Sequence, residues 1–266
     1  MSYQNKINIA IQAVQQASTA VMDIYKTKTP RYILKSKSLS PFSEADITAN
    51  QIICQTLKKH FNYPIFSEEN KLNKSRFLTK YIWLVDPLDG TKEFLSKREE
   101  FTINVALIKD NRPIIGVIAY PAKNVIYHAT LGKGAYFSQN FCDTKLHISK
   151  KQDLNNLKVA VSRSHAIPTL IQRLKTLNNC ELIACGSALK YCAVAEGSID
   201  ATVRKTPLYE WDIAAADCIL HEAGGIITDF SGKLLNYNNK SRLIKDGIIA
   251  TNLTLHPLLL TLMNKG

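Results

Sequence analysis

The sequence predicts an α/β fold in two parts, and three features of its pattern indicate it. Apolar residues at helical spacing open the chain, and strands joined by turn residues follow from residue 63 to residue 137. From residue 157 onward, short apolar strands alternate with helices. This order predicts two helices, then a largely antiparallel sheet, then an α/β half. A polar connection that begins at Lys150 is the predicted boundary between subdomains 1–150 and 151–266.

The composition is that of a folded protein with a full core. The chain has 266 residues, of which 45% are hydrophobic, enough for one large domain or two modest ones. No apolar segment approaches the roughly 20 residues that a transmembrane helix needs, and the amino terminus lacks the apolar region of a secretion signal. We therefore expect a cytoplasmic protein without a transmembrane segment. The six cysteines lack zinc-site spacing, so neither zinc nor disulfides are expected.

The charge balance indicates an anionic partner. Lys and Arg number 34 against 22 Asp and Glu, which gives a net charge of +12. The basic residues occur in short pairs, such as Lys58-Lys59 and Lys150-Lys151, without a long basic tract or interleaved aromatic residues. Nucleic-acid binding is therefore not predicted. A small phosphorylated substrate would be attracted by the same positive field.

Two helices are predicted at the start of the chain. The first spans residues 3 to about 25, where apolar residues recur at helical spacing. The second begins at Ser43 and runs through residue 57, with Asp46 in its first turn. Ser43 and Asp46 have the spacing of a capping box, so a capping role is the simplest interpretation of Asp46.

The sheet of the first half is predicted strand by strand. Residues 63–66 and 81–85 read as short strands, and the second is bounded by Pro87 and by the turn pair Asp89-Gly90. Residues 101–108 and 114–120 form a predicted hairpin that turns at residues 111–113. Residues 125–130 and 134–137 continue the sheet.

The second half alternates between strands and helices. Strands are predicted at residues 159–162, 182–184, 201–203, 226–228 and 247–251. Helices are predicted after Pro168, from about residue 187 to 196, from 212 to 223, and near Pro257. This alternation is typical of an α/β unit.

Carboxylates follow several of these elements, and together they predict a metal site. Glu68 comes directly after one strand, Asp86 and Asp89 end another, and Asp212 begins an apolar helix. Each alone is more simply a turn or a helix cap. Loops at element ends can bring such side chains together, however, and like charges held close together resist ionisation unless a cation compensates them. A bound metal is therefore the economical interpretation.

Three motifs are spread along the chain: Glu68-Glu69, the run DPLDGT at 86–91, and Trp211-Asp212 followed by small residues. Their order and spacing resemble the signatures of the inositol monophosphatase superfamily of metal-dependent, lithium-sensitive phosphatases, and the resemblance covers nearly the whole chain. GTKEF at 90–94, SRSH at 162–165, GSALKYCAVAEG at 186–197 and EWD at 210–212 are similar to the CysQ-type 3'(2'),5'-bisphosphate nucleotidases. The resemblance implies a layered αβαβα fold.

The resemblance also implies the roles of individual residues, with two or three Mg²⁺ ions as the cofactor. One magnesium would be held by Glu68, Asp86 and the backbone carbonyl of Leu88, and a second by Asp86, Asp89 and Asp212. Oxygen ligands of this kind suit magnesium.

By the same resemblance, Asp46 and Thr91 would orient and deprotonate the attacking water, with Glu68 counted among the catalytic residues. The backbone of Gly90 and Thr91 would bind phosphate oxygens. The metal-side residues Glu68, Leu88, Asp89 and Asp212 would also contact substrate. The nucleotide contacts implied are His165, Ser187, Lys190 and Arg204.

Four positions depart from the family pattern. Ser43 stands where Thr is usual, Thr206 and Leu208 replace the glycine and threonine around Pro207, and Leu39 replaces a polar residue. The substitutions around Pro207 weaken the assignment of Arg204 as a nucleotide contact, and Leu39 weakens the contact implied for a neighbouring lysine.

The activity implied is removal of the 3'-phosphate from adenosine 3',5'-bisphosphate, a by-product of sulfate assimilation and of 4'-phosphopantetheine transfer. A monomer or homodimer is expected, and the resemblance also allows peripheral contact with the cytoplasmic face of the membrane. An inositol monophosphatase or a sugar-phosphate phosphatase on the same scaffold is the alternative. A nucleic-acid-binding protein and an inactive scaffold are less well supported, because the basic residues form no stripe and every expected metal ligand is present.

Overall fold

The computed structural model describes residues 2–26, 43–70, 79–140, 142–239 and 241–264. The helices in these residues are α1 (Tyr3–Lys26), α2 (Glu44–His60), α3 (Thr91–Leu95), α4 (Pro168–Leu174), α5 (Leu189–Ala195), α6 (Glu210–Glu222) and α7 (Leu255–Asn264). The strands are β1 (Ile65–Ser67), β2 (Tyr81–Asp89), β3 (Thr102–Lys109), β4 (Arg112–Tyr120), β5 (Val125–Thr130), β6 (Ala135–Gln139), β7 (Cys142–Lys145), β8 (Lys158–Ser162), β9 (Glu181–Cys185), β10 (Ala201–Arg204), β11 (Leu208–Tyr209), β12 (Gly225–Thr228), β13 (Leu243–Ile244) and β14 (Ile248–Asn252).

The amino-terminal helices form where the sequence predicts them. α1 buries one stripe of small and branched residues, including Ala10, Val14 and Val21. α2 begins at Ser43, whose backbone N–H and hydroxyl both donate to Asp46, at 2.9 and 2.7 Å. The predicted capping box is therefore confirmed, and the Ser43 hydroxyl adds its own hydrogen bond to the Asp46 carboxylate.

The first sheet has strand order β1-β2-β3-β4-β5-β6-β7. β1 is parallel to β2, and the remaining neighbours are antiparallel, which fits the predicted largely antiparallel sheet. The hairpin between β3 and β4 turns on Asp110 and Asn111, both with positive φ. The predicted turn at 111–113 is therefore displaced, because Arg112 and Pro113 already belong to β4 and a register shift beside Ile108 accommodates them.

The second sheet has strand order β12-β14-β10-β8-β9. β8 is parallel to both β9 and β10, whereas β14 is antiparallel to β10 and β12. β11 and β13 form a separate antiparallel pair just before α6. This confirms the predicted α/β character of the second half.

The two sheets and the helices stack in five layers. One buried cluster joins α1 and α2 to one face of the first sheet, for example through Val14, Ile53 and Val117. A second fills the space between the sheets and contains most of α6. A third joins the outer face of the second sheet to α4 and α7. The order is αβαβα, as the family resemblance implies.

Several elements differ from the sequence prediction, and the short strands β11 and β13 are additional to it. β2 does not end at Val85 but continues through Asp89, with a register shift between Asp86 and Asp89 that accommodates Pro87. β7 was not predicted, because its four residues are polar or exposed and carry no apolar alternation. No helix in the described part of the chain is long and apolar enough to cross a membrane.

The six cysteines are free thiols that differ in burial. Cys54, Cys192 and Cys218 are buried, Cys180 and Cys185 are half-buried, and Cys142 is exposed.

Gly116 marks a close approach between β4 and α6. A Cβ placed on Gly116 would lie 2.9 Å from Cys218 Cβ and still closer to the Ala215 carbonyl. We expect Gly116→Ala to lower the free energy of unfolding by about 1–3 kcal/mol, since overpacking forces the helix away. The melting temperature should fall by about 3–10 °C. A melting temperature equal to that of the wild type would show that β4 and α6 can move apart without loss of stability.

Candidate active site

A cavity of about 380 Å³ lies at the edge shared by the two sheets. All the predicted site residues except Asp46 line it. A groove of about 700 Å³ between α1 and strands β5 to β7 is larger. Its described lining residues include a single carboxylate, Asp143, so it lacks the groups that the predicted chemistry needs. The smaller cavity is therefore the candidate active site.

The four carboxylates predicted as metal ligands reach this cavity from three elements. Glu68 follows β1, and its backbone N–H donates to the Val85 carbonyl of β2 at 3.2 Å, which places it beside Asp86. Asp86 and Asp89 lie on either side of the register shift in β2. Asp212 is in the first turn of α6 and accepts a hydrogen bond from the Tyr209 backbone at 2.8 Å.

Burial and mutual repulsion disfavour the charged forms of these carboxylates. Burial raises the pKa of Glu68 to about 8, and the charge of Asp212 adds to the shift. Burial raises the pKa of Asp212 to about 7, with Asp89 adding to it. The pKa of Asp86 is raised well above its ordinary value, by burial first and by Glu68 second. Nearby cations would be required to keep the whole group ionised.

The donor set fits a hard divalent cation. Among the described residues, no group of three or more carboxylate, imidazole or thiol side chains lies at metal-ligand spacing. A looser arrangement of oxygens suits magnesium, which usually keeps several waters and takes few protein carboxylates. The mutually repelling oxygens of buried Asp86 and of half-buried Glu68, Asp89 and Asp212 provide the negative charge that such an ion would neutralise.

The raised pKa values predict how pH affects stability when a chelator removes metal ions. A carboxyl group with a raised folded pKa stabilises the protein fully below its unfolded pKa, near 4, and loses that contribution as pH rises through its folded pKa. For Asp212 and Glu68 these folded pKa values are about 7 and about 8. We expect melting in EDTA to be lower at pH 8 than at pH 5 by about 5 °C or more.

Magnesium should counter this loss and should stabilise more strongly at pH 8 than at pH 5, because it competes with protons for the same oxygens. Melting curves at both pH values, with EDTA and with excess magnesium, measure the difference. A metal-free melting temperature that rises with pH would contradict the assignment of these carboxylates.

Asp46 and Thr91 are in contact, although they are 45 residues apart in sequence. The Thr91 hydroxyl lies 3.3 Å from Asp46 Oδ1 and 3.1 Å from the Leu88 carbonyl oxygen. A hydroxyl has one hydrogen, so it donates to one of these acceptors at a time. Burial raises the pKa of Asp46 to about 6. Asp46 is thus both a helix cap and a neighbour of the cavity residue Thr91.

Gly90 connects β2 to α3 in a conformation that requires glycine. Its φ is +93°, and a Cβ there would lie 2.8 Å from the Glu100 carbonyl oxygen. α3 starts at Thr91, directly after Gly90.

The opposite side of the cavity carries basic residues. Lys190 lies in α5 and is only 2% exposed, which is unusual for a lysine side chain. Its ammonium donates to the Ser187 carbonyl, and Ser187 has a positive φ. Burial, then the charge of Arg204, lowers the pKa of Lys190, and Asp89 opposes this. His165 lies near the same charges, and burial is the main cause of its lowered pKa.

Arg204 is held by the residues that depart from the family pattern. Its Nε lies 3.0 Å from the Thr206 hydroxyl oxygen, and its Nη2 donates to the Pro207 carbonyl at 3.2 Å. Thr206 therefore orients the guanidinium at the cavity. Leu208 is buried and pairs with Ile244 across β11 and β13. Leu39, the remaining departure apart from Ser43, is outside the described residues.

Several cavity residues were not singled out from the sequence. Glu93 is buried and accepts a hydrogen bond from the Ser164 hydroxyl, so the GTKEF and SRSH motifs touch each other. Tyr209 lines the cavity and stacks on Trp211, with ring centroids 4.7 Å apart. Glu93 lies within the GTKEF motif and Tyr209 directly precedes EWD, but nothing in the sequence spacing indicates these contacts.

The fold and the site define a class of protein, an enzyme that is a metal-dependent phosphatase of layered α/β architecture. The model of the Inositol monophosphatase family matches residues 2–265. The chain belongs to the inositol monophosphatase family.

Relatives within the family include bisphosphate nucleotidases. The 3'(2'),5'-bisphosphate nucleotidase CysQ of Escherichia coli K12 is 35% identical over 238 residues, covering 89% of this chain and 95% of the relative. The crystal structure of CysQ from Bacteroides thetaiotaomicron is similar with a TM-score of 0.82 and 33% identity, covering 94% of this chain and 98% of that one. An IMPase from Thermotoga maritima has a TM-score of 0.83 at 25% identity, covering 98% and 97%.

Proposed function

We propose that this enzyme hydrolyses the 3'-phosphate of adenosine 3',5'-bisphosphate to give AMP and phosphate, with magnesium as cofactor. The observation that carries the proposal is the pairing of two kinds of group in one cavity. Carboxylates on one side suit metal-assisted phosphoryl transfer, and Lys190 with Arg204 on the other suits a second phosphate. Relatives with 33–35% identity bear the CysQ name, which supports the same substrate class.

The metal ligands are assigned from the cavity and the family resemblance together. Glu68, Asp86 and the Leu88 carbonyl would hold one magnesium, and Asp86, Asp89 and Asp212 a second, with two or three ions in all. When bound, magnesium supplies positive charge against the phosphoryl oxygens and lowers the pKa of water. Asp86 is shared between the two sets, which agrees with its deep burial.

Thr91 and Asp46 are the groups suited to positioning the attacking water. The Thr91 hydroxyl faces the cavity and can accept from a water while it donates to Asp46 Oδ1, 3.3 Å away. Asp46 can receive the proton that the water loses, since burial holds its pKa at about 6, near the working pH. Ser43 keeps the other Asp46 oxygen in place through a 2.7 Å hydrogen bond.

The remaining contacts position the phosphates. The backbone of Gly90 and Thr91 is open to a phosphate because position 90 has no side chain. His165 and Ser187 face the cavity from the second half and are assigned to the nucleoside. Lys190 and Arg204 are assigned to the phosphate that is not hydrolysed.

An inositol monophosphate or a simple sugar phosphate is the weaker substrate class for this cavity. Such a substrate has a single phosphate, so Lys190 and Arg204 would have no second phosphate to bind. The proposed place of the enzyme is therefore clearance of a nucleotide bisphosphate by-product in sulfur metabolism.

Phosphate release from adenosine 3',5'-bisphosphate, with magnesium and with EDTA, tests the proposal. We expect turnover with magnesium and none above background with EDTA, restored by adding magnesium back. The product should be AMP, identified chromatographically. No release by the wild-type protein in magnesium would overturn the proposed function.

A further inference from the structure

Two loops of the second sheet form the side of the cavity that faces the carboxylates. Residues 162–165 follow β8, and residues 186–187 follow β9. β8 and β9 are parallel with Ser162 opposite Cys185, so both loops leave the sheet at the same edge. His165, Ser187 and Lys190 all depend on the position of these loops. We call residues 162–165 and 186–187 the nucleotide wall.

A single side chain from the first half holds both loops. Glu100 Oε2 accepts from Arg163 Nε at 2.6 Å, and Glu100 Oε1 accepts from Arg163 Nη2 at 2.6 Å. Glu100 Oε2 also accepts from the Gly186 backbone N–H at 2.9 Å. Arg163 Nη2 donates in addition to the Ala184 carbonyl, at 2.7 Å. One carboxylate therefore connects to both ends of the nucleotide wall.

Glu100 packs so closely against Gly186 that no side chain fits between them. A Cβ on Gly186 would lie 3.0 Å from the Glu100 Cβ, its carbonyl oxygen and its Oε2. The Glu100 backbone also faces Gly90, whose added Cβ would be 2.8 Å from the same carbonyl oxygen. Glu100 thus lies between the loop that follows the metal-binding strand β2 and the nucleotide wall.

Neither member of this pair lines the cavity. Both are about one-quarter to one-third exposed, with side-chain exposures of 26% for Glu100 and 32% for Arg163. Hydrogen bonding to Arg163 lowers the pKa of Glu100, so the carboxylate is charged at neutral pH. A bidentate Arg–carboxylate pair fixes direction as well as distance. A second link, from Ser164 to Glu93, acts on the adjacent residue of the wall.

We propose that the Glu100–Arg163 pair is a positioning device that sets the separation between the metal-binding side of the cavity and the nucleotide wall. The inference rests on the proposed function, because it concerns how the nucleoside part of the substrate is held. The pair acts through Gly186, Ser187 and His165 and does not touch the substrate. Substrates that use only the metal-binding side do not depend on it.

Two substitutions test the pair in different ways. Glu100→Gln keeps the length of the side chain and an acceptor for Gly186, but it loses the charge. Arg163→Lys keeps the charge but loses the fork of donors. For each variant we expect the KM for adenosine 3',5'-bisphosphate and the inhibition constant of AMP to rise about tenfold. The kcat value and the inhibition constant of inorganic phosphate should change less than about twofold, because the metal-binding side is unaltered.

The adjacent residue offers a matched control. Glu99 pairs with Lys123 at 2.8 Å, a contact of the first half that does not reach the wall. Glu99→Gln should leave every constant unchanged. The double variant Glu100→Gln/Arg163→Lys should bind AMP about as weakly as the more impaired of the two single variants, because both substitutions remove the same interaction.

An unchanged inhibition constant for AMP in both single variants would overturn the inference, as would equal weakening of AMP and inorganic phosphate. These comparisons do not require the bisphosphate to be the preferred substrate, since inhibition can be followed with any phosphomonoester that the wild type hydrolyses. Failure of the proposed function would instead appear in the wild type, as absent turnover of the bisphosphate.

Discussion

Asp89→Asn should abolish phosphate release while leaving the protein folded. The substitution keeps the shape of the side chain but removes a charged oxygen from the proposed metal site, and metal ions contribute several kcal/mol to stabilising the transition state. We therefore expect kcat to fall by about 1,000-fold or more at saturating magnesium. Release of phosphate from adenosine 3',5'-bisphosphate measures the loss.

The loss in Asp89→Asn should not be a loss of stability. Burial raises the pKa of the Asp89 carboxyl, so removing its charge relieves a cost when no cation is bound. The melting temperature in EDTA should equal or exceed that of the wild type. Asp110→Asn, an exposed aspartate in the β3–β4 turn, is the matched control and should retain full activity. If Asp89→Asn were as active as this control, Asp89 would not be a metal ligand.

Lys190→Ala should weaken hydrolysis of the bisphosphate and spare that of simple monophosphates. The ammonium is buried and lies beside Arg204 and Asp89, so its removal deletes a charge that the second phosphate would meet without competing water. We expect kcat/KM for adenosine 3',5'-bisphosphate to fall by about 100-fold, mostly through KM. For inositol 1-phosphate the change should stay within about threefold.

Lys205→Ala provides the comparison for Lys190→Ala. Lys205 is exposed, next to Arg204 in sequence, and does not line the cavity. Lys205→Ala should leave the hydrolysis of both adenosine 3',5'-bisphosphate and inositol 1-phosphate unchanged. This comparison separates a specific contact of Lys190 from the general effect of removing a positive charge. If Lys190→Ala reduced the two activities by the same factor, Lys190 would support the fold of the cavity rather than select the substrate.

The fold could be predicted largely from pattern. Helical spacing and the Ser43–Asp46 capping box give α1 and α2, and alternation gives most of the first sheet. These signals are local and strong. β7 and the extension of β2 through Asp89 could not be predicted, because the first carries no apolar pattern and the second places a proline within a strand.

The site was only partly predictable, for a similar reason. Carboxylates at element ends suggested a metal site, because strand and helix ends are where loops converge. The burial of Lys190 could not be inferred, since its helix is apolar on more than one side. The contact of Glu100 with Arg163 spans 63 residues and follows from how the two sheets are packed, which no local pattern encodes.

The choice between nucleotide and inositol substrates is the central question for this enzyme. The ratio of kcat/KM values for adenosine 3',5'-bisphosphate and inositol 1-phosphate, measured at one fixed magnesium concentration with the wild-type protein, tests it most directly. We expect the bisphosphate to be favoured by at least about 100-fold, because the monophosphate offers no second phosphate to Lys190 and Arg204. A ratio near one, or in favour of inositol 1-phosphate, would contradict the account.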